Sequence, residues 1–206
     1  MAGAPWLHSP VKRAIDAMVA TCALAVLSPI IAATAVAVRI RLGSPVLFRQ
    51  QRAGRDAHPV DIIKFRSMTD ERNASGELLP DADRLPPFGR LLRASSLDEL
   101  PQLWSVVRGE MSLIGPRPLP AKYVARYSPE QRRRLEATPG ITGWAQVHGR
   151  NALDWPSKLA HDVWYVDHAS PAVDARIVLL TVHAVFAGSG ISASGHVTMP
   201  EFQGET

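Results

Sequence analysis

The sequence predicts an α+β protein, mostly helical, in which a re-entrant membrane helix-break-helix hairpin precedes a small globular domain with a short β-hairpin and amphipathic interfacial helices. Three observations carry this expectation. Between Ala14 and Val38, 20 of 25 residues are apolar, and Ser28-Pro29 interrupts the run near its middle. Two short runs rich in β-branched and aromatic residues, Val46-Leu47-Phe48 and Val60 to Phe65, flank a loop containing Gly54. Further on, apolar residues recur at helical spacing behind Ser/Asp caps and prolines placed for a first turn. The expected divisions are a flexible start (1–10), the membrane segment (11–42), a globular domain (43–188) and a C-terminal tail (189–206).

The 206 residues suffice for one domain with a real core. Net charge is +4 with a pI near 9.6, and 19 of the 23 cations are arginine. Such a balance favours acidic partners: phosphates, an anionic membrane surface or nucleic acid. Cys22 is the only cysteine, which excludes an internal disulfide and a cysteine-based zinc site. The seven histidines show no metal-binding spacing, and neither a P-loop nor a G-x-G-x-x-G occurs.

By length the apolar run qualifies as a membrane crossing. Three features oppose a simple one. Pro29 deletes a backbone hydrogen bond and clashes with the preceding turn. Cations flank both ends, Lys12 and Arg13 before and Arg39, Arg41, Arg49 and Arg52 after, so neither end is marked as the inside. Each half is only about 20 Å long at 1.5 Å per residue. A helix that enters one leaflet, bends at Ser28-Pro29 and leaves on the same side satisfies all three, with the serine hydroxyl covering a carbonyl freed by the proline. The alternatives are a kinked crossing helix, a buried soluble helix and a signal sequence. Asp16 inside the run is tolerable if it pairs with Lys12 or Arg13, one turn away.

Gly43-Ser44-Pro45 makes a turn, and the two β-type runs read as a hairpin. Alternation in the second sets Lys64 and Arg66 on one face, either as solvated edge charges or as phosphate ligands. Residues 70–87 read as a long polar loop. A short helix over 87–93 then delivers the chain to Ser95-Ser96-Leu97-Asp98-Glu99-Leu100-Pro101-Gln102. Ser96-x-x-Glu99 fits a capping box, but Pro101 fits the first helical turn better if Asp98 is the cap. In that register Asp98 lies where free N–H groups and the helix dipole gather negative charge. The plain reading is a capped amphipathic helix through Leu100, Leu103, Trp104 and Val107. What favours chemistry is the company: Arg90, Arg93, Arg108 and Arg117 surround an Asp-Glu pair with guanidinium groups suited to phosphate, and two hard carboxylates suit magnesium.

Arg117 is held between Pro116 and Pro118, which presents its side chain at small entropic cost. Residues 121–137 read as a charged, solvent-facing helix, with Arg132-Arg133-Arg134 as a solvated or headgroup-facing patch. The stretch from Thr138 to Asn151 has three glycines and many polar donors; Trp144 reads as a core anchor. Pro156 starts a helix carrying Asp162, a third site acid or a surface charge. Ser170-Pro171 starts another, very apolar, running to Ala187 and either lying at a membrane interface or filling the core.

At these same residues the chain resembles the bacterial sugar transferases, the monotopic polyprenyl-phosphate phosphoglycosyl transferases of PglC-like size. The resemblance spans Val11 to Phe202 and rests on five motifs: Lys12-Arg13 before a helix broken at Ser28-Pro29; Lys64-Phe65-Arg66-Ser67-Met68; Ser96 to Gln102; Gly115-Pro116-Arg117-Pro118; and Pro139 to Gln146. It implies transfer of a phosphosugar from a UDP-sugar to polyprenyl (undecaprenyl) phosphate through an aspartyl-phosphosugar, with UMP released. Asp98 is then the nucleophile, and Glu99 with Asp98 holds Mg²⁺. Lys64, Arg66, Arg93, Arg117, Gln146, Arg150, Asn151 and Asp162 become substrate-binding residues. The expected setting is the bacterial inner membrane, entered from one side, with the catalytic domain on the cytoplasmic face and a homodimer as an option. The alternative class is a non-catalytic, membrane-anchored protein that binds anionic lipid or nucleotide sugar. Nucleic acid is not an expected partner, since no recognition motif is present.

Overall fold

The computed structural model describes residues 3–149, 153–186 and 201–204, and it is mostly helical with two small sheets. Its first long element, α1, runs Pro10–Leu42, 33 residues or about 50 Å. Ser9 caps it, its hydroxyl accepting from the Val11 N–H at 3.2 Å. The break expected at Ser28-Pro29 is absent as an interruption: Pro29 lies inside one continuous helix. The missing Pro29 N–H would have served the Ala25 carbonyl, and the Ser28 hydroxyl donates to that oxygen at 2.8 Å instead.

Helix α1 lies along the domain for its whole length. Lys12, Asp16, Ala20, Thr34 and Val38 are buried, with Leu24 and Leu27 packed near Leu103 and Val106, and Ile31, Ala35 and Leu42 near Phe65 and Leu92. These positions recur every three or four residues, one stripe of a helix. The opposite stripe, including Val11, Met18, Val26, Val36 and Ile40, is apolar and exposed.

The described residues ahead of α1 are packed against the domain, where a loose segment was expected. Pro5–His8 forms a 3-10 turn, the Ala4 N–H donates to the Val166 carbonyl at 2.8 Å, and Leu7 is buried. Lys12 and Arg13, the cations that flank the apolar run on this side, both bond to the domain. Lys12 is buried, its Nζ 2.7 Å from Asp174 and 3.8 Å from Asp16. Arg13 donates to the carbonyls of Val106 and Val107 at 2.7 and 2.6 Å. Asp16 pairs with Lys12 as anticipated and also accepts from the Ser112 hydroxyl at 2.6 Å.

The hairpin forms as expected from β1 (Leu47–Ala53) and β2 (Pro59–Phe65), antiparallel with Leu47 opposite Phe65 and Ala53 opposite Pro59. The polar loop contains a short helix, α2 (Asp81–Arg84), and leads to α3 (Pro87–Ala94). A 3-10 turn over Leu97–Glu99 precedes α4 (Gln102–Arg108), whose last carbonyls Arg13 covers. Strand β3 (Ser112–Ile114) follows. The predicted charged helix over 121–137 is instead three pieces: a 3-10 turn over Ala121–Arg126, α5 (Pro129–Arg132) and a 3-10 turn over Arg133–Glu136. Extended Tyr127 ends the first, and Ser128 with Gln131 opens the second through a capping box.

Strand β4 (Gly140–Thr142) pairs parallel with β3, Ser112 opposite Gly140 and Ile114 opposite Thr142. Gly115 is needed here: a Cβ on it would sit 2.9 Å from the Gly140 nitrogen. These glycines therefore admit neighbouring backbone. Helix α6 (Trp144–Val147) places Trp144 in stacking contact with Trp164, ring centroids 4.2 Å apart, so its role as an anchor holds. Helix α7 (Trp155–His168) is capped by Asp154, and α8 (Pro171–Phe186) contributes Ile177 to the core as one of the two expectations had it, while Val178, Leu179 and Val182 are exposed. Of the tail, residues 201–204 are described, and Phe202 packs into the domain.

Candidate active site

Four elements converge on the Asp98-Glu99 pair. Strand β2 carries Lys64 at its penultimate position; α3 carries Arg93; the 3-10 turn carries both acids; and the proline-framed segment after β3 carries Arg117. The capping box does not form. Ser96 is left-handed (φ 57°) with no side-chain cap, and Pro101 occupies the cap position of α4. A left-handed non-glycine residue costs about 1–2 kcal/mol, and strain of this kind clusters where a chain reversal serves a site. Here it turns the chain from the end of α3 into the acidic turn.

The two acids have different partners. Glu99 Oε1 receives Lys64 Nζ and, at 2.6 Å, Arg117 Nη2. Asp98 is 7% exposed and accepts no hydrogen bond from the described residues. Burial pushes the Asp98 carboxyl up to about 6; Lys64, Arg93 and Arg117 pull against that, while Glu99 adds to it. Burial would push Glu99 up as well, but Arg117 and Lys64, by charge and hydrogen bonds, hold it far below the usual carboxylate range. Burial and Arg117 lower Lys64 against the pull of Glu99 and Asp98. Arg93 donates to the Ser67 hydroxyl at 3.0 Å and is lowered by burial, with Asp98 opposing. The result is one carboxylate paired through Oε1 beside a desolvated one that accepts no hydrogen bond from the described residues, with three cations around them.

Arg117 is supported from behind. Arg134 Nη2 donates to the Arg117 carbonyl at 2.6 Å, and Arg134 Nε and Nη2 donate to Asp162 Oδ2 at 2.9 and 2.7 Å. Arg134 and Asp162 are each 2% exposed.

Comparison with known proteins meets the same segments. The sequence profile of the bacterial sugar transferases matches residues 7–188. The chain belongs to this family. It is 49% identical over 193 residues to the uncharacterized sugar transferase EpsL of Bacillus subtilis, covering 94% of this chain and 96% of that protein. It is 36% identical over 192 residues to the UDP-N-acetylgalactosamine-undecaprenyl-phosphate N-acetylgalactosaminephosphotransferase of Aeromonas hydrophila, covering 89% of this chain but 45% of that longer protein. With the UDP-glucose:undecaprenyl-phosphate glucose-1-phosphate transferase of Caulobacter vibrioides the identity is 38% over 181 residues, 83% of this chain and 68% of the relative.

This sugar transferase brings Lys64, Arg93, Asp98, Glu99 and Arg117 together, and those five were legible in the sequence. Other expected ligands stand elsewhere. Arg66 leaves the hairpin as β2 ends: it donates to the carbonyls of Leu42 and, at 3.2 Å, Ser44, and pairs with Asp70 at 2.9 Å, closing the end of α1. Gln146 is turned inward, donating to the Ile141 carbonyl at 2.9 Å. Asp162 is neither a surface charge nor an open ligand but the buried partner of Arg134, so Arg134 is not part of a solvated patch either. Arg133 pairs with Asp167 and with Glu130 at 3.1 Å. Arg150 and Asn151 lie outside the described residues.

Two cations near the site were not singled out as ligands. Arg52 is lowered by burial and then by Arg117; Lys158 is lowered by burial, with Asp162 opposing and Arg117 adding to it. Both therefore extend the positive field around Arg117. Neither spacing nor flanking residues marks them, because the approach is made by elements distant in sequence.

Proposed function

We propose that this transferase moves a phosphosugar from a UDP-sugar to polyprenyl phosphate, with Asp98 as the covalent carrier. The observation that carries the reading is the contrast within one turn: Glu99 Oε1 takes both Lys64 and Arg117, whereas Asp98 is buried, accepts no hydrogen bond from the described residues and faces cations that suit a diphosphate. In the first half-reaction an Asp98 oxygen attacks the β-phosphorus, the bond to the bridging oxygen breaks, and UMP departs with that electron pair. In the second, an oxygen of polyprenyl phosphate attacks the same phosphorus and the Asp98–phosphorus bond breaks, restoring the carboxylate. Lys64, Arg93 and Arg117 hold the phosphoryl oxygens, with positive field from Arg52 and Lys158.

Magnesium fits the donor set. Asp98 and Glu99 are hard oxygen ligands, and among the described residues no group of three or more His, Cys, Asp or Glu side chains is gathered for a metal, so phosphate oxygens and water would complete the coordination. When bound, the ion would neutralise diphosphate charge.

The reading places the protein on the cytoplasmic face of a bacterial inner membrane, attached from one side. What supports it is that α1 is apolar, with 11% of its most apolar stretch buried, yet contacts the same domain near both ends. A helix crossing perpendicular to the bilayer would separate its ends by its full length, and this domain would have to follow it.

The test is a screen of UDP-sugars for UMP release with Mg²⁺, with and without undecaprenyl phosphate, in detergent or nanodiscs. Release without acceptor should be stoichiometric, with a labelled adduct on the protein, and both should vanish in Asp98→Asn. An Asp98→Asn protein that still traps adduct would sink the assignment of the nucleophile. Two of the three relatives named above carry UDP-N-acetylgalactosamine and UDP-glucose in their names, and those donors should head the screen.

A further inference from the structure

Phe202 lies outside every motif discussed so far, yet it is 3% exposed. Its ring sits among Trp155, Tyr123 and Tyr127, at centroid distances of 5.4, 5.7 and 5.7 Å. Its carbonyl accepts from Arg126, and the neighbouring Glu201 carboxylate accepts from Lys122 and Arg126 at 2.7 and 2.8 Å. Those cations belong to the 3-10 turn that follows Pro116-Arg117-Pro118. Leu119, two residues from Arg117, packs in the same cluster as Phe202, Tyr123 and Leu159.

From this seat a short series of contacts reaches the acids. The Tyr127 ring that Phe202 touches lies 5.8 Å from the Arg134 guanidinium, and its hydroxyl accepts from Arg134 Nη1 at 3.4 Å. Arg134 in turn donates to the Arg117 carbonyl at 2.6 Å, and Arg117 to Glu99 at 2.6 Å. We propose that Glu201-Phe202 is a positioning element of the active site: the buried Phe202 ring fixes Tyr127, which sets Arg134 and through it the placement of the Arg117 guanidinium over the substrate phosphates. Phe202 touches no substrate in this proposal, which rests on the reading of the site given above. Removing the ring leaves a void beside Tyr127 that packed neighbours fill only in part.

The experiment compares the full chain with Phe202→Ala, Phe202→Leu and Glu201→Gln. It reads thermal stability, kcat/KM for UMP release, and the substrate-free titration of Asp98 by NMR of 13C-labelled aspartate. Because Arg117 is among the charges holding the Asp98 carboxyl down, a displaced guanidinium should move that titration upward. Phe202→Ala is expected to show the upward shift and a loss in kcat/KM of about 10- to 100-fold, the cost typical of a misplaced catalytic group, with Phe202→Leu restoring most of both. If Asp98 titrates as in the unaltered protein and kcat/KM is unchanged while the melting temperature falls, Phe202 is a packing residue only and the proposal is overturned. Should Phe202→Ala not fold, Glu201→Gln keeps the ring, removes the ionic anchor and is judged by the same two readouts. Absence of UMP release from the unaltered protein would instead defeat the functional reading, while the titration would still decide the positioning.

Discussion

Asp98 and Glu99 are neighbours in one 3-10 turn and are shifted in opposite directions from the ordinary carboxylate range, because a carboxylate answers to its partners and not to its place in the chain. Asp98 is the strained one. Its carboxyl stands at about 6 in the folded protein against 3.8 in its ordinary state. The native state therefore binds the proton more tightly, so stability falls as pH rises from about 4 through 6, and above that the ionised group costs the fold about 2–3 kcal/mol. Asp98→Asn should accordingly be inactive yet more stable than the parent by that order at pH 8, with the advantage gone near pH 4; denaturant melts at both pH values check it. In the active protein bound Mg²⁺ favours the Asp98 carboxylate, so the acid limb of kcat/KM for UMP release should lie below the metal-free value of about 6 and should move upward as free Mg²⁺ is lowered. An acid limb that does not respond to Mg²⁺ would contradict Asp98 as a metal-bound attacking group.

At the scale of elements, α1 shows how a proline expected to break a helix is absorbed by it. The Ser28 hydroxyl satisfies the one carbonyl that Pro29 orphans, and packing on both sides of it holds the rest. What fastens the start of α1 is polar: Asp174 accepts from Lys12 Nζ at 2.7 Å, Trp6 Nε1 at 2.9 Å and Tyr165 Oη at 2.7 Å. Asp174→Ala leaves a buried ammonium beside only Asp16, and such losses cost about 3–5 kcal/mol. It should melt well below the parent and expose the Pro10 to Asp16 turn to proteolysis, whereas Ser28→Ala should cost about 1 kcal/mol. Lys12 and Arg13 read in sequence as cations flanking a lipid segment because hydropathy records only neighbours in the chain. Their acceptors are 162 and 93 residues away or more.

For the molecule as a whole, the contact stripe on α1 is the feature with most consequence. Both ends of the helix rest on one domain, so one-sided attachment predicts that single cysteines placed at Gly3 and at Ser44 in a Cys22→Ala background are labelled by an impermeant maleimide from the same side of sealed vesicles. Labelling from opposite sides would show a crossing helix. The outward stripe through Val11, Met18, Val26, Val36 and Ile40, and the Val178, Leu179 and Val182 face of α8, are the apolar surfaces available to lipid.

By itself the sequence marked the β-hairpin, the short helix that leads to Ser95, and, among its candidate residues, the five that the fold gathers: Lys64, Arg93, Asp98, Glu99 and Arg117. Each of these is encoded locally, by alternation, by prolines that fix φ, or by adjacent charges in a motif. Tertiary structure alone decided that Glu99 is paired with Lys64 and Arg117 while Asp98 is left open, that Arg66 and Gln146 face inward, that Asp162 and Arg134 brace Arg117 from behind, and that Leu7 and Phe202, near either end of the chain, are buried. Those outcomes depend on burial and on pairing between residues many turns apart, and a buried charge is stable only with a partner that no local pattern announces.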